Sequence, residues 1–291
     1  MLQSPPPDPN PKKPRTALPP KACDAVCHVI GPRPTYPFAQ GRKYDVPDAP
    51  AEQLFRLHDA LGFERAALVQ ATVHGSDNRA MIDALERSNG RYRGVAIIDR
   101  DTSEGELDGM DRAGVCGVRV NFVRFLGGPP DPAAFDSAVD RIAEFGWHVA
   151  LHMGGDDILE HESLLRRLRV PAVIEHLGRV DPRGGLDQRP FRCILDLMRN
   201  HGLWVKTDMA DRLSAASAPY VDMIPYVRAI VEAAPERVLW GTDWPHPMYE
   251  AGRPMPNDGD LVDFLTDCVP SPEMRARILV RNASEFYRFP D

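Results

Sequence analysis

The run His148-Val-Ala-Leu-His-Met153, the helical text Asp156–Leu168 and the run Ala172-Val-Ile-Glu-His-Leu177 form one strand–helix–strand unit, and its reading decides the fold. Each run is nearly continuous in apolar residues and ends in polar ones, as strands do in a parallel sheet covered by helices. The same alternation extends in both directions. Strands are predicted at Cys23–Ile30, Ala66–Ala71, Gly94–Ile98 and Gly117–Phe122 before this unit, and at Leu203–Thr207 and Arg237–Asp243 after it. Helical periodicity marks Glu52–Leu61, Asn78–Ser88, Pro132–Phe145, Pro190–Asn200 and Tyr220–Ala233, with Asp258–Asp267 and Pro272–Arg281 following the last strand. About eight strand–helix units are what a (β/α)8 barrel of the TIM type requires. A doubly wound open sheet is the alternative, but its first turn would carry a glycine-rich phosphate fingerprint. Here that turn reads Val29-Ile-Gly-Pro-Arg-Pro34. The α/β barrel is therefore expected over residues 21–291 as a single domain, preceded by a Pro-rich tail over 1–20 expected to be disordered.

Composition narrows the function classes. Thirty-five Lys and Arg stand against 42 Asp and Glu, a formal charge of −7, so the basic footprint of a nucleic-acid binder is missing. No apolar run reaches the roughly 18 residues of a membrane span. Five cysteines, Cys23, Cys27, Cys116, Cys193 and Cys268, are scattered without a C-x-x-C pair, which argues for a reducing compartment, the cytoplasm. Lys12-Lys13 is followed by no apolar segment of a secretory signal.

In such a barrel the chemistry gathers at the carboxyl ends of the strands. Those ends carry His28, then Thr72 and His74, then Arg119 and Asn121, then His152, then Glu175, His176 and Arg179, then Lys206 and Asp208, and last Asp243 and His246. A carboxylate at Asp243, after Val-Leu-Trp-Gly-Thr, would be costly to bury without a partner, which marks it as functional. Arg119 interrupts an apolar strand, and Arg179 and Arg212 follow the sixth and seventh. Guanidinium forks over one pocket suit a carboxylated small molecule. Glu175 and Asp208 are expected to pair with helix-borne arginines, and His58, His148, His161 and His201 to be structural.

The strings Asp24-Ala-Val-Cys-His28, Val69-Gln-Ala-Thr-Val-His-Gly-Ser-Asp-Asn78, Gly117-Val-Arg-Val-Asn-Phe122, Glu175-His-Leu-Gly-Arg179 and Gly241-Thr-Asp-Trp-Pro-His246 resemble the amidohydrolase superfamily, and within it the 2-pyrone-4,6-dicarboxylate lactonase branch. The resemblance runs from about Ala22 to Pro290. It implies a hydrolase that opens the lactone of a carboxylated small molecule in aromatic-compound catabolism. By that resemblance Asp243 is the general base, His28 and His176 polarise the carbonyl, and Arg119, Arg179, Arg212, His74 and Tyr44 hold substrate carboxylates. Thr72, Arg124, His152 and His246 are further candidates for the substrate pocket.

Val26 stands where most of the superfamily has the first histidine of a His-x-His metal pair, and a hydrocarbon side chain can neither ligate nor donate. No cofactor is therefore expected; the alternative is a single zinc or manganese on His28, His176 and Asp243. Phe125 and His152 replace an arginine and a tyrosine of the lactonases, which implies a substrate with one carboxylate fewer or another ring. Rival readings are a metal-independent isomerase acting on a sugar-acid lactone or muconolactone, and a catalytically inactive binding homologue. The expected partner is the small substrate alone, with a monomer or homodimer as the assembly.

Overall fold

Eight parallel strands carry the barrel in the computed structural model, which describes residues 1–250 and 252–290. They are β1 (Cys23–Cys27), β2 (Arg65–Val69), β3 (Tyr92–Ala96), β4 (Val115–Asn121), β5 (His148–His152), β6 (Ala172–Ile174), β7 (Trp204–Lys206) and β8 (Val238–Leu239). Each pairs with the next in sequence order. The ring closes where β1 meets the chain after β8: Ala25 N–H donates to Trp240 O at 2.9 Å, Asp243 N–H to Val26 O at 2.8 Å and His28 N–H to Trp244 O at 2.7 Å. All eight expected strands are present. The sixth is shorter than its apolar text because His176 and Leu177 adopt left-handed backbone, which ends a strand, and the eighth stops at Leu239.

Helices follow the strands as the periodicity indicates, and the α-helices Glu104–Ala113, Ala210–Leu213 and Ala283–Tyr287 were not anticipated. Glu104–Ala113, between β3 and β4, begins with a capping box in which Ser103 and Glu106 satisfy each other's backbone N–H groups. Two apolar layers result. The outer one packs helix residues such as Leu54, Leu107, Ile142 and Leu197 on strand residues such as Leu68 and Ile174. The inner one fills the barrel with Val26, Val69, Val95, Ala150 and Val173. At its amino-terminal end the inner layer is closed by Phe286 and Tyr287, the latter donating to Ala25 O at 2.9 Å. His148, expected to be structural, points inside the barrel, where a side chain at Gly117 would lie 2.4 Å from its ring.

The Pro-rich segment departs from the expected disordered tail. Leu2–Gln3 pairs in parallel with Tyr44–Asp45, Ser4 Oγ accepts from Met248 N–H at 2.8 Å, and Lys12 N–H donates to Asn257 Oδ1 at 2.8 Å. Lys12 and Arg15 then pair with Asp260, Asp263 and Asp267 along one helix. Prolines lower the entropy that fixing such a segment costs, and the acidic helix face supplies its partners. Among the described residues no helix is long and apolar enough to cross a membrane.

Candidate active site

Closure of the barrel brings the first and last strands' polar ends together. His28 Nε2 lies 3.0 Å from Asp243 Oδ1, and Arg212 Nη2 contacts the other oxygen, Oδ2. His28 Nδ1 is 2.7 Å from Val69 O and must donate to it, since a carbonyl only accepts. Burial, reinforced by Arg119, pushes the His28 pKa down to about 3. The ring is therefore neutral at pH 7, and its bare Nε2 faces the Asp243 carboxylate.

A second cluster is built across β4 to β7. Arg119 Nε donates to Glu175 Oε2 at 2.7 Å, and Lys206 Nζ to Glu175 Oε1 at 3.1 Å. Burial alone would raise the Glu175 carboxyl, but the two cations hold it well below its usual range. Arg119 Nη2 lies 3.2 Å from both His152 Nδ1 and His176 Nε2. Burial drives both imidazoles well below 6.5, so both accept from the guanidinium. His176 Nδ1 then carries the proton, which it donates to Asp208 Oδ2 at 2.5 Å, while burial raises Asp208 to about 7. His152 carries its proton on Nε2, a buried N–H that no group in the described residues accepts. His176, Asp208 and Asp243 offer ligand atoms within 4.8 Å of one another, which joins the two clusters.

Arg179 is less committed, its closest polar contact being Met209 Sδ at 3.8 Å. Burial, then Arg212 and Arg119, push its pKa down to about 10. Tyr44 is buried and accepts from Thr72 Oγ1 at 3.2 Å. Its hydroxyl, raised by burial, feels Arg119 and Arg212 in the opposite sense, so this pair borders the cationic cluster. Arg119 and Asn121 also line a cavity of about 1020 Å³ that runs between the segment 97–104 and the helix Pro132–Glu144.

Three candidates do not join this site. His74 Nε2 accepts from Gly31 N–H at 3.1 Å and its Nδ1 faces Pro37 O at 3.2 Å, so both nitrogens brace the first loop. His246 is fully buried and pairs with Asp258 Oδ1 at 3.2 Å. Arg124 is 77% exposed and pairs with Glu160 at 3.0 Å. Position in sequence after a strand placed them at the mouth, but the loops turn each side chain toward a local partner. Glu175 and Asp208 also depart from expectation, pairing with strand-end residues inside the barrel instead of helix-borne arginines.

His176, Arg179, Met209, Asp243 and His246 all have positive φ, between 47° and 64°. Such non-glycine residues each cost on the order of 1–3 kcal/mol and persist where surrounding structure over-determines them, commonly at functional sites. The amidohydrolase family model matches residues 23–289, spanning every strand and side chain of the two clusters. The chain belongs to the amidohydrolase family. This amidohydrolase is 43% identical to the 4-sulfomuconolactone hydrolase of Hydrogenophaga intermedia, over 94% of its own chain and 90% of the relative. It is 42% identical to a 2-pyrone-4,6-dicarboxylate hydrolase of Comamonas testosteroni, over 96% and 93% respectively. Among solved structures, an apo crystal structure from Agrobacterium tumefaciens superposes with a TM-score of 0.81 at 28% identity, covering 95% of this chain and 99% of that one.

The family's fold raises the question of a metal, and the donor set of this amidohydrolase bears on it. Val26, fully buried, supplies no ligand. The Nε2 atoms of His28 and His176 face Asp243 and Arg119, and the second Asp243 oxygen faces Arg212. A dication among these atoms would lie against two guanidinium groups, so the residues do not suit one.

Proposed function

We propose that this protein hydrolyses the lactone of a carboxylated or sulfonated small molecule, without a divalent metal, using Asp243 as the base. The observation that carries the reading is the 3.0 Å contact of His28 Nε2 with Asp243 Oδ1, combined with the commitment of His28 Nδ1–H to Val69 O. With a neutral ring and an ionised carboxylate, two acceptors face each other one proton short of a hydrogen bond. A water proton taken by Asp243 completes that bond. The hydroxide left behind attacks the lactone carbonyl, and the stored proton passes to the departing ring oxygen. Water is consumed and an acid released.

The electrophilic side falls to other groups than the imidazoles first assigned to it. Neither His28 nor His176 has a free N–H, because each gives its single proton to Val69 O or Asp208. His152 Nε2–H is free, and Arg119 fixes that tautomer by donating to Nδ1. His152 is thus the imidazole that donates to the developing oxyanion, and a preorganised donor of this kind contributes about 10²–10³ in rate. Arg179, beside Arg212 and Arg119, has no carboxylate partner among the described residues, so its guanidinium is available to an anionic substituent. The named activities of the two relatives, on a sulfonated muconolactone and on a pyrone dicarboxylate, support this chemistry. All five cysteines are free and buried, which supports the cytoplasm as the compartment.

The test is Asp243→Asn assayed on 2-pyrone-4,6-dicarboxylate and 4-sulfomuconolactone, with product mass measured. Loss of turnover with retained substrate binding, and a wild-type product heavier by one water, are expected. Undiminished turnover in the variant, or a product of unchanged mass, would overturn the reading.

A further inference from the structure

We infer that Asp24 is a positioning residue for Asp243, acting through Thr242 and anchored by His58 and Tyr92. The inference rests on Asp243 being the base. Asp24 is fully buried and accepts from Thr242 N–H at 2.9 Å, Thr242 Oγ–H at 2.6 Å and Val26 N–H at 3.2 Å. Thr242 Oγ in turn accepts from Trp244 N–H at 3.1 Å. The residues on both sides of Asp243 are therefore tied to one carboxylate on β1, and Asp243 N–H itself donates to Val26 O. This clamp holds Asp243 at φ 59°, a conformation a β-strand continuation would not supply.

The far side of Asp24 is equally closed. His58 Nε2 lies 3.2 Å from Asp24 Oδ2, and His58 Nδ1 lies 2.6 Å from the Tyr92 hydroxyl. The proton order is self-consistent, Tyr92 O–H to His58 Nδ1 and His58 Nε2–H to Asp24, so every polar side-chain atom of these three residues has a partner. Asp24, Cys27 and His58 have the composition of a metal site, but these hydrogen bonds already occupy the carboxylate. Gly241 completes the device: a side chain there would lie 2.4 Å from Val26 N and 2.6 Å from Asp24 Oδ1, so the turn can approach β1 only without one.

Asp24→Asn alone would be ambiguous, since the carboxylate supports the fold. The decisive comparison is Thr242→Ser, which keeps the hydroxyl, against Thr242→Val, which keeps the shape, in the full chain with 2-pyrone-4,6-dicarboxylate as probe. Thr242→Val is expected to lose about tenfold or more in kcat with KM within about twofold, and Thr242→Ser to stay within about twofold of wild type in both, as misplacement of a reacting group predicts. A merely structural role would lower Tm in Thr242→Val yet leave kcat per folded enzyme unchanged, and that result overturns the inference. If Asp243→Asn is inactive and Thr242→Val fully active, the positioning role alone fails. If Asp243→Asn is active, the base assignment fails and takes the positioning role with it.

Discussion

His28 and Asp243 are 215 residues apart in the chain and 3.0 Å apart in the fold, and every other feature of the site is arranged around that approach. The parallel barrel brings it about, because its first and last strands are neighbours and both end at the same rim.

Glu175 is buried with Arg119 and Lys206 as its partners. Glu175→Gln would leave two cations with no counter-charge and is expected to cost about 3–5 kcal/mol of stability. The sign with pH follows from the lowered carboxyl: its contribution is present above the ordinary range of an unfolded glutamate and is lost as pH falls through the folded value. Urea unfolding at pH 7 checks the first statement, and wild-type melts at decreasing pH the second.

Burial raises Asp208 to about 7, while His28, His152 and His176 lie far below neutrality. None of these three imidazoles is therefore the group that titrates near neutrality. Once protonated on Oδ2, Asp208 donates to His176 Nδ1 instead of accepting from it, so the ring proton moves to Nε2, which then no longer accepts from Arg119. The rate is expected to rise with pH through an acid limb near 7. In Asp208→Asn the limb should flatten and kcat fall, and an unchanged pH profile would assign the limb elsewhere.

His152→Phe keeps a ring but removes the free N–H, and a loss of about 10²-fold in kcat is expected. His152→Gln, which retains an N–H donor, should recover part of it. Equal rates in the two variants would show that the donor is unused.

Prolonged dialysis against a chelator is expected to leave kcat/KM unchanged, with metal content measured in parallel. Inactivation reversed by zinc or manganese would mean that His28, His176 and Asp243 ligate after all.

Much of this was legible in the chain. Parallel strands buried on both faces cannot hide their apolar text, so all eight were found, and the polar residues ending them included His28, Arg119, His152, His176 and Asp243. What remained hidden was direction. Whether His74 faces substrate or the Pro37 carbonyl, and whether Glu175 meets a helix or Lys206, depends on loop paths and on pairings across the barrel that no local pattern encodes. Asp24 was present only as the first letter of a familiar string. Its role emerges once Thr242 is seen beside it.

The amino-terminal strap has a practical side. It starts beside Tyr44, crosses to Ser4 and Met248, and ends bolted to the helix Asp258–Cys268. A version trimmed to start at Lys21 would therefore lose support on two segments near the rim. Vector design for this enzyme should leave those first residues native.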